Sequence, residues 1–442
     1  MKKQKTGKKI QSIPQPGDFV EVHLTKVIYE GILLESPKDE RGVLLLKLDS
    51  GYNIGLRKKD ILDIKVLKKF ERQETEPLAA SSKLGQSKQQ NKPNIAMIIT
   101  GGTIASRLDS RTGAVAPLTK VEDLFRFYPE LFQRVNVLRV EVPFMRSSED
   151  MTFKDWKKIA SVAERLLNDG NVEGLIITHG TDTLHYTAAA LSFFLRNLNK
   201  PVVLAYSQRS IDRASSDANL NLQCAAIAAI SDIAEVMLVG HATTNDDYCY
   251  AMPGTKVRKL HTSRRDAFKV VNSKPFAKVF PDRIELVSEY NLRDGKKKVK
   301  VDSHFEEKVA LIKIYPGQNP DILDFYAKQK YKGIVLEVTG LGHVSSSGKH
   351  SWLNKLKEIQ KKGIVVCAAA QTIYGRLDPY VYSNGRELEK TGVIFLEDML
   401  AETALVKLSW ILGHRDWIRN KNIIKEKMLE NVVGELNERL EE

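Results

Sequence analysis

Two short apolar runs, each followed by a loop containing glycine and threonine, constrain the fold of this 442-residue chain more than any other feature. Residues 95–99 read Ile-Ala-Met-Ile-Ile, and residues 174–177 read Gly-Leu-Ile-Ile. Continuous apolar runs of this length are typical of strands that are covered on both faces, as in a parallel sheet. The sequence therefore predicts an α/β protein in which both runs are strands of one doubly wound sheet.

The loops after these two strands carry hydroxyl groups. The first loop reads Thr-Gly-Gly-Thr-Ile-Ala at residues 100–105, and the second reads Thr-His-Gly-Thr-Asp-Thr at residues 178–183. Glycine allows a sharp turn and a close approach of substrate, and ligands bind at the carboxyl edge of such sheets. Alternatively, the glycines serve the turn alone and Thr181 and Asp182 cap the next helix. Together the two loops favour a site for nucleophilic chemistry.

Composition and turn residues divide the chain into five parts. Residues 1–70 contain five short strand-like runs separated by turn residues, which predicts a small β-barrel of SH3 or Sm type for docking to protein or RNA. Residues 71–94 lack aromatic side chains and are rich in polar residues, which is typical of a linker. Alternating strands and helices predict an N-terminal α/β domain over 95–290, which carries both threonine loops and hence the candidate catalytic residues, a polar linker over 291–305 and a C-terminal α/β domain over 306–442.

Three further segments have patterns with a structural interpretation. The spacing of apolar residues predicts helices over 153–167 and 402–412, and an amphipathic surface or interface helix over 423–440. The glycine and polar residues of 107–117 predict a mobile lid beside the first threonine loop. Lids of this kind seclude a reactive site from water.

The charge balance bears on the partners of the protein. The net charge is +13, from 68 Lys and Arg against 55 Asp and Glu. A positive field attracts polyanions such as RNA, although a mildly basic surface also serves solubility alone. No apolar run approaches the roughly 18–20 residues that span a bilayer, and the basic start lacks the apolar segment of a secretory signal. We therefore expect a cytoplasmic protein that does not enter a membrane.

The sequence predicts neither a disulfide framework nor a metal site. Three cysteines lie far apart: Cys224, Cys249 and Cys367. No Cys-x-x-Cys is present, so these residues are expected to be small buried side chains. Three histidines near the apolar runs also lack ligand spacing: His179, His185 and His241.

Nucleophilic chemistry by a threonine requires an activated hydroxyl and a group that accepts its proton. The hydroxyl of threonine is a weak nucleophile at neutral pH. A lysine with a pKa lowered by burial, held by an aspartate, could take the proton. The basic run at 254–268 offers Lys256 and Lys259. Either lysine could instead be a solvated charge or a phosphate contact.

The paired motifs at 100–105 and 178–183 resemble the signature of the type I and II bacterial asparaginase/glutaminase family. The resemblance implies an amidohydrolase with a threonine nucleophile on a two-part α/β body. Further matches lie in the C-terminal part: Gly-Leu-Gly-His at 340–343, Gln-Thr-Ile-Tyr-Gly-Arg at 371–376, Tyr-Ser-Asn-Gly-Arg at 382–386 and the segment 398–408. The resemblance covers residues 95–415.

The resemblance assigns four catalytic positions: Thr103 as the nucleophile, Thr181 as the second essential hydroxyl, and Asp182 and Lys259 as the rest of a Thr-Lys-Asp set. In the family pattern the lysine precedes a phenylalanine by nine residues, and that spacing selects Lys259 with Thr262 and Phe268. Lys256 is the second choice. The sequence departs from the family in one respect, because residues 106–117 contain no counterpart of the tyrosine in the family's first mobile loop.

The resemblance also implies the residues that bind the substrate. The segment Arg-Ser-Ser-Glu-Asp-Met at 146–151 corresponds to a family loop of Gly-Ser-Gln-Asp-Met type. Ser148 would contact the α-carboxylate of the substrate, and Glu149, which replaces a glutamine, would bind its α-amino group together with Asp182. Two glycines of the threonine loops would also line the substrate: Gly102 and Gly180.

The combination of predicted barrel, asparaginase-like body and basic charge resembles the D subunits of archaeal glutamyl-tRNA(Gln) amidotransferases. The resemblance implies that the chain hydrolyses glutamine and supplies ammonia to an E-type subunit, which amidates glutamate attached to tRNA(Gln). It further implies a homodimer within a heterotetramer, with tRNA bound mainly by the partner. No Walker-type phosphate loop is present in the sequence, so ATP and magnesium are expected at the partner subunit, with no cofactor in this chain.

Two other functions remain compatible with the sequence. One is a free-standing cytoplasmic L-asparaginase with an added N-terminal domain. The other is a non-catalytic scaffold that binds RNA or protein through the barrel. Asparagine hydrolysis without a partner or tRNA would favour the first, and failure of glutamine to acylate Thr103 even with both present would favour the second.

Overall fold

The computed structural model describes the following residues: 13–34, 42–48, 53–69, 92–108, 115–117, 131–210 and 215–440. The chain divides into two compact units. The smaller comprises the described residues of Met1–Gln86 and Ser106–Leu118, and the larger those of Ser87–Ala105 and Thr119–Glu442. Most of the predicted linker, residues 71–91, lies outside the described residues.

The N-terminal unit contains five strands: β1 (Phe19–Leu24), β2 (Ile28–Leu34), β3 (Val43–Lys47), β4 (Asn53–Arg57) and β5 (Ile61–Lys68). They form an antiparallel sheet in the order β4-β3-β2-β1-β5. Alternate side chains, such as Val20, Val22 and Leu46, form its buried core, as the two-residue period of a strand requires. The five strands are as predicted, but among the described residues no ladder joins β4 to β5. The described part is therefore a five-stranded sheet without barrel closure.

The predicted lid corresponds to a short hairpin. After β6 (Asn94–Ile99), the chain forms β7 (Ser106–Leu108) and β8 (Val115–Pro117), which pair antiparallel. The tip of the predicted lid, residues 109–114, lies outside the described residues.

The larger unit begins with an eight-stranded sheet that includes β6. The strands of this part are β9 (Asn136–Glu141), β10 (Gly174–Thr178), β11 (Leu195–Arg196), β12 (Val202–Ala205), β13 (Val236–His241), β14 (Cys249–Pro253), β15 (Val257–Lys259), β16 (Phe268–Val270), β17 (Ala277–Val279), β18 (Ile284–Leu286) and β19 (Lys300–Val301). Its helices are α1 (Leu131–Arg134), α2 (Phe153–Leu167), α3 (Leu184–Phe194) and α4 (Ala218–Ala229). The eight strands of the sheet lie in the order β18-β17-β14-β13-β12-β10-β6-β9. Five neighbours in this order, β13, β12, β10, β6 and β9, are parallel to one another. The predicted doubly wound α/β class is confirmed.

A second, four-stranded parallel sheet forms the C-terminal part of the same unit, with its strands side by side in the order of the chain. Its strands are β20 (Val309–Lys313), β21 (Gly333–Val338), β22 (Val365–Ala370) and β23 (Ile394–Phe395). Its helices are α5 (Ile322–Lys328), α6 (Leu353–Lys361), α7 (Ser383–Glu389), α8 (Ala401–Leu412) and α9 (Lys421–Leu429). Among the described residues, none of the helices has the length and apolar character required to cross a membrane.

Helix α8 packs the two α/β parts against each other. The Phe193 ring of α3 stacks on the Trp410 ring of α8, with centroids 5.5 Å apart. The segment predicted as a linker, 291–305, is held at the same place, because β19 pairs with β11 and Trp410 Nε1 donates to the carbonyl oxygen of Asp302 at 3.1 Å. The connection between the two parts is thus itself ordered by hydrogen bonds.

The prediction of a helix over 423–440 is wrong beyond Leu429, where α9 ends. Gly434 has a φ of +79°, a left-handed conformation that a helix interior does not contain. The turn brings Glu435 to Lys407 of α8, with 2.5 Å between Oε1 and Nζ and both side chains fully buried. The periodic apolar pattern is therefore overridden by a buried ion pair between distant parts of the chain.

We expect Glu435→Gln to destabilise the protein strongly, because it leaves the buried ammonium group of Lys407 without its counter-ion. Removing one partner of a buried pair costs about 3–5 kcal/mol. Thermal melting should show a large decrease in Tm. The matched control is Glu438→Gln, since Glu438 is exposed and close in sequence. Equal melting of the two variants would contradict a stabilising role for this pair.

Candidate active site

The two threonine loops leave the same edge of the large sheet. Strands β6 and β10 are parallel neighbours, and Ile99 lies opposite Thr178 at their carboxyl ends. The Thr100 hydroxyl donates to the carbonyl oxygen of Thr178 at 2.8 Å and extends the pairing by one residue. The predicted placement of both loops at one sheet edge is confirmed.

Two glycines allow these loops to touch. Gly102 has a φ of +85°, and a β-carbon at this position would lie 2.4 Å from the backbone nitrogen of Gly180. No side chain fits in that space, so glycine is required by both conformation and distance. Thr103 and Thr181 follow directly after these glycines. The close backbone contact therefore brings the two threonines from separate chain segments into one region.

A third loop, at residues 146–151, is held by the start of α2. Asp155 accepts hydrogen bonds from Arg146 Nη1 at 2.7 Å, from the Thr152 backbone nitrogen at 2.8 Å and from the Thr152 hydroxyl at 3.0 Å. These contacts include a capping box, which satisfies donors at the first turn of the helix. A β-carbon on Gly101 would lie 2.6 Å from the carbonyl oxygen of Arg146, so this loop also lies against the first threonine loop.

Ser148 joins the third loop to the second threonine loop. Its hydroxyl accepts from the backbone nitrogen of Asp182 at 3.1 Å, and its carbonyl oxygen accepts from the Thr183 hydroxyl at 2.6 Å. Ser148 is buried, with 2% of its surface exposed, whereas the next residue, Glu149, is exposed. The Ser148 hydroxyl keeps its own proton available for donation to a ligand.

Lys259 lies against the second threonine and its neighbouring carboxylate. It ends β15, where it pairs with Phe268 of β16. Its Nζ donates to Thr181 Oγ1 at 2.8 Å and to Asp182 Oδ1 at 2.7 Å. The Lys259 side chain is 12% exposed and that of Asp182 is 60% exposed. An amine, a hydroxyl and a carboxylate therefore form one hydrogen-bonded group with access from solvent.

Lys256 has different surroundings. Its Nζ lies 2.7 Å from Asp398 Oδ2, and both side chains are almost completely buried. Burial lowers the pKa of Lys256, and the charge of Asp398 opposes this effect. Asn437 donates a further hydrogen bond to Asp398 at 2.8 Å. Of the two candidate lysines, Lys259 alone contacts the hydroxyl of a predicted site threonine.

Thr103 begins a short 3-10 turn, Thr103–Ala105. The next two side chains, Ile104 and Ala105, are buried, and the backbone nitrogen of Ala105 donates to the carbonyl oxygen of Gly102 at 3.0 Å. Thr103 itself is half-buried. Among the described residues, no side-chain hydrogen bond is formed by Thr103. Thr103 thus differs from the other three predicted catalytic residues, Thr181, Asp182 and Lys259, which are joined by hydrogen bonds.

Sequence reasoning missed the part played by His179 in positioning the second threonine loop. Its Nδ1 lies 2.7 Å from the carbonyl oxygen of Gly180, and its Nε2 lies 2.9 Å from Thr187 Oγ1. Complete burial lowers the pKa of His179 to about 4, so the ring is neutral at physiological pH. Because a carbonyl only accepts, Nδ1 carries the proton and Nε2 accepts from Thr187. The sequence signal is a histidine directly before the Gly-Thr pair.

A second feature missed from sequence is an ion pair beside Lys259. Arg258 Nε lies 3.0 Å from Glu402 Oε1 of α8. Burial raises the pKa of Glu402, and Arg258 opposes this. Burial, with the charges of Arg258 and Lys259, also lowers the pKa of nearby His185 to about 4. The C-terminal part thus contacts the strand that carries Lys259.

Known families match consecutive parts of the chain. The GatD N-terminal domain matches residues 14–67, the N-terminal domain of asparaginase matches 94–291, and the glutaminase/asparaginase C-terminal domain matches 308–424. The solved structure of the thermostable L-asparaginase from Thermococcus kodakarensis is 30% identical, with a TM-score of 0.68, and covers 78% of this chain and 100% of that chain. The fold and the grouping of site residues therefore define an asparaginase-type amidohydrolase.

Two relatives are similar over nearly the whole chain. The D subunit of the glutamyl-tRNA(Gln) amidotransferase of Pyrococcus furiosus is 46% identical over 426 residues, 95% of this chain and 94% of the relative. Its counterpart from Methanothermobacter thermautotrophicus is 42% identical over 424 residues, 96% of this chain and 94% of the relative. The chain belongs to the family of glutamyl-tRNA(Gln) amidotransferase D subunits.

We predict that Gly102→Ala lowers amide hydrolysis by roughly 100-fold, because a displacement of about 1 Å at a catalytic site has an effect of this size. The added β-carbon must move the first loop away from Gly180. The matched control is Gly170→Ala, where a β-carbon has open space. Ammonia release from glutamine measures both variants. Full activity of Gly102→Ala would show that the close backbone contact is not needed.

A pair of lysine variants separates chemistry from stability. Lys259→Met should retain the Tm of the wild type but lose amide hydrolysis by about 10²–10⁴-fold, the usual contribution of a positioned proton acceptor. Lys256→Met should lower the Tm, because it leaves the buried Asp398 carboxylate unpaired at a cost of about 3–5 kcal/mol. Melting curves and ammonia release distinguish them. The reverse pattern would assign the catalytic role to Lys256.

Proposed function

We propose that this chain is the glutaminase subunit of a tRNA-dependent amidotransferase. It hydrolyses glutamine to glutamate and ammonia, and a partner subunit uses the ammonia to convert Glu-tRNA(Gln) to Gln-tRNA(Gln). The observation that carries the proposal is the similarity to D subunits over 95% of the chain, which includes the N-terminal sheet. The asparaginase body supplies the amidohydrolase fold, and the N-terminal sheet lies in the part matched by a separate family, the GatD N-terminal domain.

In the proposed reaction, Thr103 Oγ1 attacks the side-chain amide carbon of glutamine. Its proton passes to the group formed by Thr181, Lys259 and Asp182, and then to the leaving nitrogen as the C–N bond breaks. Ammonia departs and a glutamyl ester remains on the threonine. Water hydrolyses this ester and restores the hydroxyl. The hydrogen bonds that Lys259 Nζ donates to Thr181 and Asp182, at 2.8 and 2.7 Å, support the placement of these three groups along one path for the proton.

The proposed substrate contacts use three loops. Ser148 donates to the α-carboxylate, and Glu149 and Asp182 bind the α-amino group. Asp182 has one carboxylate oxygen on Lys259 and an exposed side chain, which supports a second contact with a ligand amine. Gly102 and Gly180 line the proposed substrate, and their close backbone contact, which no side chain would permit, places Thr103 and Thr181 beside it.

The relatives are named as subunits, which supports a partner in an amidotransferase complex. We propose two copies of this chain with two E-type subunits, in which ATP and magnesium are bound by the partner and tRNA(Gln) is contacted mainly by the partner. The net charge of +13 favours some additional attraction to tRNA. A cytoplasmic location follows from the same proposal, and the three free, buried cysteines agree with a reducing compartment.

The second candidate function is a free-standing L-asparaginase. The observation in its favour is the similarity of the body to the solved asparaginase, which is matched over its full length. Rapid asparagine hydrolysis by the purified chain alone would support this candidate. A non-catalytic scaffold would show no amide hydrolysis under any condition.

The test measures ammonia release from glutamine and from asparagine by the full chain alone, with an E-type subunit, and with that subunit plus Glu-tRNA(Gln) and ATP. We expect preference for glutamine, stimulation by the complete set and formation of Gln-tRNA(Gln). Thr103→Val and Thr181→Val should each reduce hydrolysis by about 10³-fold or more, because each removes a hydroxyl without changing shape. Thr244→Val, on the exposed surface, is the control. Undiminished hydrolysis by Thr103→Val would refute the proposed nucleophile.

A further inference from the structure

Three potential metal ligands meet where the connection between the two α/β parts contacts the end of α8. Asp302 and His304 belong to that connection, and His414 follows α8. One ligand atom from each lies within 4.8 Å of the others. The His304 Nδ1 is 2.7 Å from Asp302 Oδ1, and the His414 Nε2 is 3.0 Å from both Asp302 oxygens. Within the described ranges this is the one such group of three.

The contacts of His414 determine which of its ring nitrogens faces Asp302. Its Nδ1 lies 2.8 Å from the carbonyl oxygen of Trp410, and because a carbonyl only accepts, Nδ1 carries a proton. With Nδ1 engaged in this way, Nε2 is the ring nitrogen that faces the Asp302 carboxylate, 3.0 Å from both oxygens, and it is the atom available to a metal ion.

The surrounding contacts hold two of the three ligands in place. The His414 ring stacks on the Trp417 ring, with centroids 3.8 Å apart and 17° between the planes. The Asp302 backbone donates to the carbonyl oxygen of Phe194 and accepts from Trp410. A backbone carbonyl on the non-ligating nitrogen is the usual outer contact of a metal-binding histidine, since it fixes the ring and raises the basicity of the other nitrogen. The site is therefore largely preorganised.

The third ligand, His304, lies at the solvent side of the site, where its side chain can move to admit an ion. The His304 side chain is 65% exposed, against 24% for Asp302 and 13% for His414. Two metal–ligand bonds of about 2.0–2.1 Å span at most about 4.2 Å, so a small rotation of the exposed ring brings all three atoms within bonding distance. Two imidazoles and one carboxylate suit zinc and its neighbours in the first transition series, and water can complete the coordination.

We propose that Asp302, His304 and His414 bind a divalent transition-metal ion of the zinc type. The ion would join the connection between the two α/β parts to the end of α8 and so stabilise their packing. The inference is independent of the proposed glutaminase activity, because none of the three residues belongs to the Thr103, Thr181, Asp182 and Lys259 set. It departs from the sequence-based expectation of no metal, which considered other histidines.

The experiment uses the full chain after treatment with a chelator. Cobalt(II) is the probe, because its visible absorption reports coordination by nitrogen ligands directly. We expect saturation at one equivalent per chain, displacement of the cobalt signal by zinc(II), and an increase in Tm with zinc. The readout does not depend on enzymatic activity.

Three variants test the assignment. His414→Gln and His304→Gln should each weaken cobalt binding by about 100-fold or more, since changes even to the outer contacts of metal sites weaken binding by about 10–100-fold. The control is His350→Gln, which removes a partly exposed imidazole elsewhere in the C-terminal part and should bind as the wild type does. His304→Gln is the safeguard against misfolding, because that side chain is mostly exposed.

The proposal is overturned if the wild-type chain binds no cobalt at one equivalent, or if binding survives unchanged in both histidine variants. NMR signals of an imidazolium form of His414 that do not change on addition of zinc would likewise show that a proton, and not a metal ion, joins His414 to Asp302. Loss of cobalt binding in both variants and its retention in His350→Gln supports the proposal.

Discussion

The parallel pairing of β6 with β10 is the interaction on which the site depends. Main-chain hydrogen bonds fix Ile99 opposite Thr178, so the two loops leave the sheet side by side. A shift of one residue would turn every side chain of a strand to the opposite face. The contact between Gly102 and Gly180 requires this register, since a β-carbon on Gly102 would lie 2.4 Å from the other backbone. The position of the hydroxyl groups thus follows from backbone pairing and the absence of two side chains.

Different electrostatic contacts give Lys256 a structural role and Lys259 a place in the candidate site. Lys256 is buried against Asp398, which lies far away in the sequence, and this pair holds the start of β15 to the C-terminal part. Lys259, at the other end of the same short strand, contacts Thr181 and Asp182 at a solvent-accessible point. The buried pair fixes the strand on which the accessible lysine lies. A structural ion pair and a candidate catalytic contact are therefore three residues apart.

The C-terminal part supports this arrangement from the other side. Helix α8 provides Glu402 beside Arg258, Trp410 on the ordered connection, and Lys407 for the buried pair with Glu435. These polar contacts lie within a large apolar core shared by both sheets. Because protein interiors are closely packed, a change in one side chain of this interface is transmitted to its neighbours. The histidine and aspartate cluster at the end of α8 belongs to the same contact region.

The sequence by itself determined the elements and the chemistry class. The apolar runs predicted β6 and β10, the helical spacing predicted α2 over the residues observed, and the paired threonine motifs indicated an amidohydrolase. Only the tertiary structure decided which lysine meets Thr181, where α9 ends, and that Asp302 and His414 converge. Periodicity and motifs depend on residues that are close in the sequence, whereas ion pairs and ligand clusters join residues that are far apart in the sequence and meet only in the folded chain. A local pattern therefore cannot identify such distant partners. Where the two conflict, as at the end of α9, the buried ion pair decides the structure.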